Sequence, residues 1–75
     1  MKLPRLSGRE VIQILSKLGY RIARQKGSHI ILVKETEKGK RGVVVPSHKE
    51  IDKGTLLEII RQAGLTREEF IELIK

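Results

Sequence analysis

The period of the hydrophobic pattern changes twice along this chain, and that change constrains the fold more than any other feature. Near the N-terminus apolar residues recur at helical spacing. The stretch from Tyr20 to Val45 is instead rich in β-branched residues and is divided at Gly27 and Gly39, as is typical of strands joined by tight turns. Helical spacing returns from Leu56 onward. We therefore expect helices at both ends of the chain and strands between them.

Polar residues at the ends of the helical patterns predict where three helices begin and end. In a capping box, a Ser or Thr N-cap and a Glu three residues later each bind the backbone N–H of the other residue. Glycine just beyond the last helical residue supplies the left-handed conformation that ends many helices. The residues that carry these signals are Ser7, Glu10 and Gly19 for the first helix, Asp52 and Gly64 for the second, and Thr66 with Glu69 for a short third helix to about Ile74.

The resulting element order is α-β-β-β-α-α, with strands predicted over residues 20–25, 28–34 and 41–45. Such an order predicts an α+β fold, a three-stranded antiparallel sheet with helices packed on one face. A chain of 75 residues has the size of one domain, so we expect a single domain over residues 1–75. The order is related to that of the double-stranded RNA-binding domain, α-β-β-β-α, but a likeness of fold assigns no function.

The hairpin between the first two strands has a predicted turn at Lys26 and Gly27, which determines which residues face each other. A loop of two or four residues centred there places Arg24 opposite His29. Side chains of one parity share a face of the sheet, and we expect the helices to cover this face. His29 would then lie at its outer end, where the core meets solvent. The apolar residues predicted to share the face are Tyr20, Ile22, Ile31 and Val33.

The net charge of +7 is unevenly distributed along the chain. Residues 1–53 contain thirteen Lys or Arg and five Asp or Glu, a net charge of +8, whereas residues 54–75 contain three basic and four acidic residues, a net charge of −1. A basic surface of this kind suits a polyanion, either nucleic acid or an anionic membrane. It also suits a surface that only keeps the protein soluble, and charge alone does not separate these alternatives.

The composition disfavours several classes of protein. The chain has no cysteine, which removes disulfides, thiolate nucleophiles and sulfur-ligated zinc. It contains neither a signal-peptide pattern nor an apolar run near the roughly 18 residues of a membrane span, so we expect a cytoplasmic protein with no membrane partner. The sequence has no converging carboxylates for a two-metal nuclease and no glycine-rich phosphate loop, so we expect neither metal ligands nor a cofactor.

Two histidines are the candidates for proton-transfer chemistry. His29 directly follows Gly27 and Ser28 at the predicted turn, where glycine permits close approach by a ligand. Histidine titrates near neutral pH, so it can take up or release a proton when the 2′-hydroxyl of RNA attacks the neighbouring phosphate. A hairpin-end histidine also suits a structural hydrogen bond, which physical criteria alone favour. His48, in the loop after the third strand, is equally typical of an exposed loop histidine.

Several stretches of the chain together resemble the HicA toxin family. Residues 24–30 (RQKGSHI) resemble the signature hairpin of that family, and residues 43–48 (VVVPSH) resemble its third strand and the loop that follows. Residues 54–65 resemble its second helix, and residues 7–10 and 18–20 also fit. Gly-Ser-His alone is a weak signal. Followed by Val-Pro-x-His and Gly-Thr-Leu at these spacings, it makes the resemblance specific and extends it over nearly the whole chain.

The resemblance implies a function as well as a fold. Proteins of this family have a fold like the double-stranded RNA-binding domain and are toxins of type II toxin–antitoxin systems that cleave mRNA and stop translation. A cognate HicB antitoxin binds them and blocks this activity. The family's catalytic histidine falls on His29, in the matching Gly27-Ser28-His29 motif. His48 matches a histidine often seen in the family's loop, to which we assign no role.

From these observations we expect a metal-independent endoribonuclease in which His29 is a general acid or base. The alternative is a non-catalytic RNA-binding module that uses the same basic face. The expected partners are mRNA and a HicB-type antitoxin, while the oligomeric state is left open. The residues expected to contact RNA are Arg24, Lys26, Gly27 and Ser28, with His48 as an additional candidate site.

Overall fold

The computed structural model describes residues 3–74, and its elements follow the predicted order α-β-β-β-α-α. The three strands form one antiparallel sheet in the order β1-β2-β3, so β2 is the central strand. The predicted α+β class is therefore confirmed. Among the described residues, no helix is long and apolar enough to span a bilayer. The elements are α1 (Gly8–Ser16), β1 (Arg21–Lys26), β2 (His29–Thr36), β3 (Gly39–Pro46), α2 (Lys53–Gln62) and α3 (Arg67–Ile74).

The helices begin at the residues that the capping signals predict. The Ser7 hydroxyl accepts a hydrogen bond from the Glu10 N–H at 3.1 Å, and the Glu10 carboxylate accepts one from the Ser7 N–H at 2.8 Å. Thr66 and Glu69 form the same reciprocal pair at the start of α3. Asp52 caps α2 by accepting a hydrogen bond from the backbone of its first turn. These bonds satisfy N–H groups that have no partner within the helix itself.

The helices pack on one face of the sheet, and the core lies between the two layers. Leu32 of β2 and Val43 of β3 are almost completely buried, whereas Val44 is 40% exposed. Because successive side chains of a strand point to opposite faces, this difference identifies a covered face and an open face of the sheet. The helices contribute most of the remaining core residues, which include Val11, Ile14, Leu15, Leu56, Ile59, Ile60 and Phe70.

The register predicted for the β1–β2 hairpin is wrong. Gly27 and Ser28 form a two-residue turn in which Gly27 has a φ of 60° and Ser28 has no positive φ, the combination of a type II′ turn. Lys26 therefore lies opposite His29, in the place predicted for Arg24. The physical reason is that such a turn requires a positive φ at its first central residue, which glycine adopts without strain and lysine does not.

A β-bulge at Ala23 changes which side chains of β1 share a face. The register shifts between Ile22 and Arg24, so one extra residue of β1 is inserted there. Ile22 lies opposite the buried Leu32, while Arg24 lies opposite Ile31 on the open face. The apolar face predicted for this hairpin is therefore divided between the two sides of the sheet. Its predicted members are Tyr20, Ile22, Ile31 and Val33, of which Ile31 and Val33 belong to the open face.

Strands β2 and β3 are longer than predicted. The sequence predicts a charged turn over residues 35–40, but β2 continues to Thr36 and only Glu37 and Lys38 form the turn. Glu35 and Lys40 are instead paired across the ladder. Both are exposed, so their charges remain in water on the open face while their backbones complete the sheet.

Candidate nucleic-acid interface

The residues predicted to act on RNA lie together at the exposed end of the β1–β2 hairpin. Lys26 is the last residue of β1 and His29 is the first of β2, and Gly27 with Ser28 connects them. All four residues are exposed, as is Arg24 further along β1. The Cα atoms of directly opposed strand residues are about 4.5–5.5 Å apart, so the side chains of Lys26 and His29 are close enough to contact one phosphate group.

The backbone of His29 is held on both sides although its side chain is exposed. His29 pairs with Lys26 of β1 and with Pro46 of β3, because β2 is the central strand. The Ser47 N–H donates a hydrogen bond of 2.6 Å to the Ser28 carbonyl, which extends this connection beyond the end of the ladder. A side chain on such a support keeps its position relative to a bound ligand better than one on a free loop.

The β-bulge brings a third cation to the face that carries His29. Residues 21 and 24 have opposite parity, so in a regular strand their side chains would point to opposite faces of the sheet. The extra residue at Ala23 puts Arg21 and Arg24 on the same face. Arg21 lies opposite Val33 and Arg24 lies opposite Ile31, and these two residues of β2 share the open face. Arg21, Arg24 and Lys26 therefore form a row along β1 on the open face. Sequence reasoning missed Arg21 because its place depends on the bulge.

The three cations of this row do not contribute equally to the positive potential of the open face. Arg21 forms an ion pair with Glu35, with its guanidinium 3.3 Å from the carboxylate. Arg24 and Lys26 have no ion pair among the described residues. Within this row, the unneutralised charge is thus concentrated at the end that carries His29, which favours an anionic ligand there.

The open face also has an apolar floor beside the basic row. Ile31 is half-buried and lies between Arg24 of β1 and Val44 of β3 in the ladder. The Tyr and Phe side chains of the sequence, Tyr20 and Phe70, are both buried in the core. Contacts of this face with nucleobases would therefore be aliphatic and not the aromatic stacking that single-strand binders use.

His48 lies on a different part of the surface from His29. It is exposed in the loop after β3, and its carbonyl accepts a 2.9 Å hydrogen bond from the Gly8 N–H at the start of α1. Its side chain lines a shallow depression between that loop and α1. The residues around this depression are Ser7, Arg9, Ser47, His48 and Lys49. The structure therefore joins Arg24, Lys26, Gly27, Ser28 and His29 into one site and leaves His48 outside it.

The chemistry available at the hairpin end is proton transfer beside fixed positive charge. Within residues 3–74, no group of three or more His, Cys, Asp or Glu side chains is arranged to hold a metal ion. An exposed imidazole can exchange protons with water and with a bound hydroxyl. The adjacent cations can stabilise charge that develops on a phosphate during its cleavage.

Comparison with known families places the chain beside bacterial toxins. Residues 8–65 match the family model described as the HicA toxin of bacterial toxin-antitoxin. The matched region runs from the first residue of α1 to the connection between α2 and α3, so it includes the hairpin with His29 and the loop with His48. No curated protein matches the chain.

Proposed function

Since the chain belongs to the HicA toxin family, toxins of bacterial toxin–antitoxin systems, we propose that it is a metal-independent endoribonuclease that cleaves mRNA in the cytoplasm and thereby blocks translation. The observation that carries this proposal is the pairing of Lys26 with His29 on the open face of the sheet. There, the imidazole of His29 and the ammonium group of Lys26, which has no ion pair among the described residues, lie beside the same small space. This space is open to a long polymer.

The proposed reaction uses the 2′-hydroxyl of RNA as the nucleophile. Its oxygen attacks the adjacent phosphorus, the bond from phosphorus to the 5′ oxygen breaks, and the products are a cyclic phosphate and a free 5′-hydroxyl. One proton leaves the 2′-hydroxyl and one is delivered to the 5′ oxygen. His29 performs one of these transfers as general base or general acid, a contribution of roughly 10²–10⁴ in rate.

The neighbouring residues have binding roles in this proposal. Lys26, directly opposite His29, stabilises the negative charge that builds on the phosphate oxygens. Arg24 holds the adjacent backbone phosphate, and the planar guanidinium suits contact with two oxygens at once. Gly27 has no side chain, and a Cβ atom built there would meet no atom of the protein within 4 Å. The space beside the turn is therefore open, and the RNA can approach it closely. Ser28 contributes a hydroxyl beside the imidazole.

Family membership implies an antitoxin partner. We propose that this partner is a HicB-type protein and that it inhibits by covering the hairpin end. An exposed, basic, preformed surface does not need a conformational change to bind RNA, so masking it is the direct way to keep the toxin inactive.

The alternative is an RNA-binding protein that does not cleave, and turnover separates the two functions. A labelled, unstructured RNA is incubated with the protein at a tenfold molar excess of RNA, and the products are counted per protein molecule. The proposal requires many cleavages per molecule, ending in cyclic phosphate. The His29→Ala variant, purified in the same way, is the control for contaminating nucleases. Wild-type protein that binds the RNA and yields no more product than this variant would establish the alternative.

A further inference from the structure

The depression beside His48 contains an unassigned cluster of cationic and polar side chains. Its lining combines Arg9 from the first turn of α1 with His48 and Lys49 from the loop after β3, together with two serines. Arg9, His48 and Lys49 are all exposed, and neither Arg9 nor Lys49 has an ion pair among the described residues.

Nearby acidic side chains are bound elsewhere, and none of them forms an ion pair with this cluster. The Glu10 carboxylate accepts the Ser7 N–H in the capping box of α1. Glu50 pairs with Arg5, with 3.9 Å between the guanidinium and the carboxylate. Two N–H groups in the first turn of α1 are also in use, since the Gly8 N–H donates to the His48 carbonyl and the Glu10 N–H donates to the Ser7 hydroxyl. What the depression offers a ligand is therefore cationic side chains, which suit an anion.

The cluster exists because α1 and the end of β3 approach unusually closely. A Cβ atom on Gly8 would lie 2.2 Å from the Pro46 carbonyl oxygen, so only glycine permits this contact. The contact places Arg9, the next residue along α1, beside the loop that carries His48 and Lys49. Arg9 in α1 and the loop after β3 are thus held beside each other before any ligand binds.

The cluster is continuous with the hairpin end. Ser47 lines the depression, and its N–H donates to the carbonyl of Ser28, the residue before His29. His29 also pairs with Pro46, so the Cα atoms of His29 and His48 are separated by one strand pairing and two residues of chain, at most about 13 Å. A single RNA strand bound at His29 can therefore extend over Ser47 into the depression.

We propose that Arg9, Ser47, His48 and Lys49 form a second RNA-binding subsite, which holds a phosphate that flanks the one being cut. The inference rests on the proposed ribonuclease function and deepens it, because it assigns a role to His48 and a path over the protein surface to the bound strand. The subsite contributes affinity for the polymer and takes no part in proton transfer. Removing the subsite therefore raises the concentration needed for half-maximal rate and leaves the rate at saturation unchanged.

The test compares two double variants that each lose two positive charges. Arg9→Gln/Lys49→Gln removes the charges of the subsite, and Lys38→Gln/Arg67→Gln removes two exposed charges away from it, in the turn between β2 and β3 and at the start of α3. Single-turnover cleavage of an unstructured RNA is measured over a range of protein concentrations and salt. We expect the subsite variant to need about tenfold more protein for half-maximal rate. Its salt slope should be shallower by about 1.4, corresponding to two phosphate contacts on a single strand. The control should match wild type.

His48→Ala provides the second arm of the test. We expect a higher half-saturating concentration with an unchanged rate at saturation. A fall in the saturated rate like that of His29→Ala would place His48 in the proton transfer and overturn the assignment. Equal half-saturation for wild type and Arg9→Gln/Lys49→Gln, with normal cleavage by both, would refute the subsite alone. If wild-type protein neither binds nor cuts RNA, the proposed function itself fails.

Discussion

Lys26 lies directly opposite His29 across the β1–β2 ladder, on the open face of the sheet. The pairing follows from the type II′ turn, because its two central residues, Gly27 and Ser28, are the only residues between the two strands. It places the ammonium group of Lys26 beside an imidazole that can take up or release a proton, at a position fixed by the central strand.

Replacing His29 with alanine should remove cleavage and preserve the fold. The side chain is exposed at the end of β2, so its loss should cost at most about 1 kcal/mol of unfolding free energy. If His29 transfers a proton, the single-turnover rate should fall by roughly 10²–10⁴ with little change in RNA affinity. Cleavage, binding and thermal melting are measured on one preparation. A folded variant that cuts at the wild-type rate would show that the catalytic assignment is wrong.

The charges of the basic row should contribute unequally to RNA binding. Lys26→Gln and Arg24→Gln should each weaken binding and cleavage together and make the salt slope shallower by about 0.7. Arg21→Gln should have a smaller effect, because Glu35 already neutralises part of its charge. Lys38→Gln, at the far hairpin, is the matched control. Equal effects of all four substitutions would mean that RNA responds to net charge and not to this face.

Cleavage should survive removal of divalent metal ions. The described residues offer no group of three or more His, Cys, Asp or Glu side chains for a metal site, and the proposed reaction needs only proton transfer and fixed positive charge. The assay is RNA cleavage in excess EDTA, with His29→Ala as the background. If EDTA abolishes cleavage and added magnesium or manganese restores it, the metal-free mechanism is wrong.

The antitoxin should protect the hairpin end from hydrogen exchange. The N–H groups of the exposed turn, Gly27 and Ser28, are the most informative, because those within the ladder are already hydrogen-bonded. We expect slower exchange across residues 24–30 when the partner is bound, and no change at the far turn of Glu37 and Lys38. If exchange at residues 24–30 is unchanged in an inhibited complex, the antitoxin acts from another surface.

Gly8→Ala should destabilise the protein although it raises helix propensity. In an isolated helix alanine is favoured over glycine by about 1 kcal/mol. Here the new Cβ would collide with the Pro46 carbonyl oxygen, a backbone atom that cannot move without disturbing the end of β3. We expect a net loss of about 1–3 kcal/mol in denaturant unfolding. Gly42→Ala, whose Cβ would be 3.9 Å from its nearest neighbour, is the control and should be tolerated.

The sequence by itself determined the features whose signals lie within a few residues of each other. The capping boxes of Ser7 with Glu10 and Thr66 with Glu69 are satisfied inside one helical turn, so they specify the helix starts in any tertiary context. The β-branched stretches located the strands, although β2 and β3 extend beyond them, and together these signals predicted the α+β class. The Gly-Ser-His motif located the hairpin end, because its residues are adjacent along the chain.

Only the tertiary structure decided which side chains meet. The side-chain period of a strand is two residues, so a single bulge moves a side chain to the other face of the sheet, and a shift of the turn by one residue changes each cross-strand partner by two positions. This is why Lys26 and not Arg24 lies opposite His29, and why Arg21 joins the basic row. Arg9 and Lys49 are 40 positions apart in the sequence and line one depression because Gly8 lets α1 touch the end of β3. No local pattern encodes a contact whose partners lie that far apart, since its geometry depends on how the layers pack.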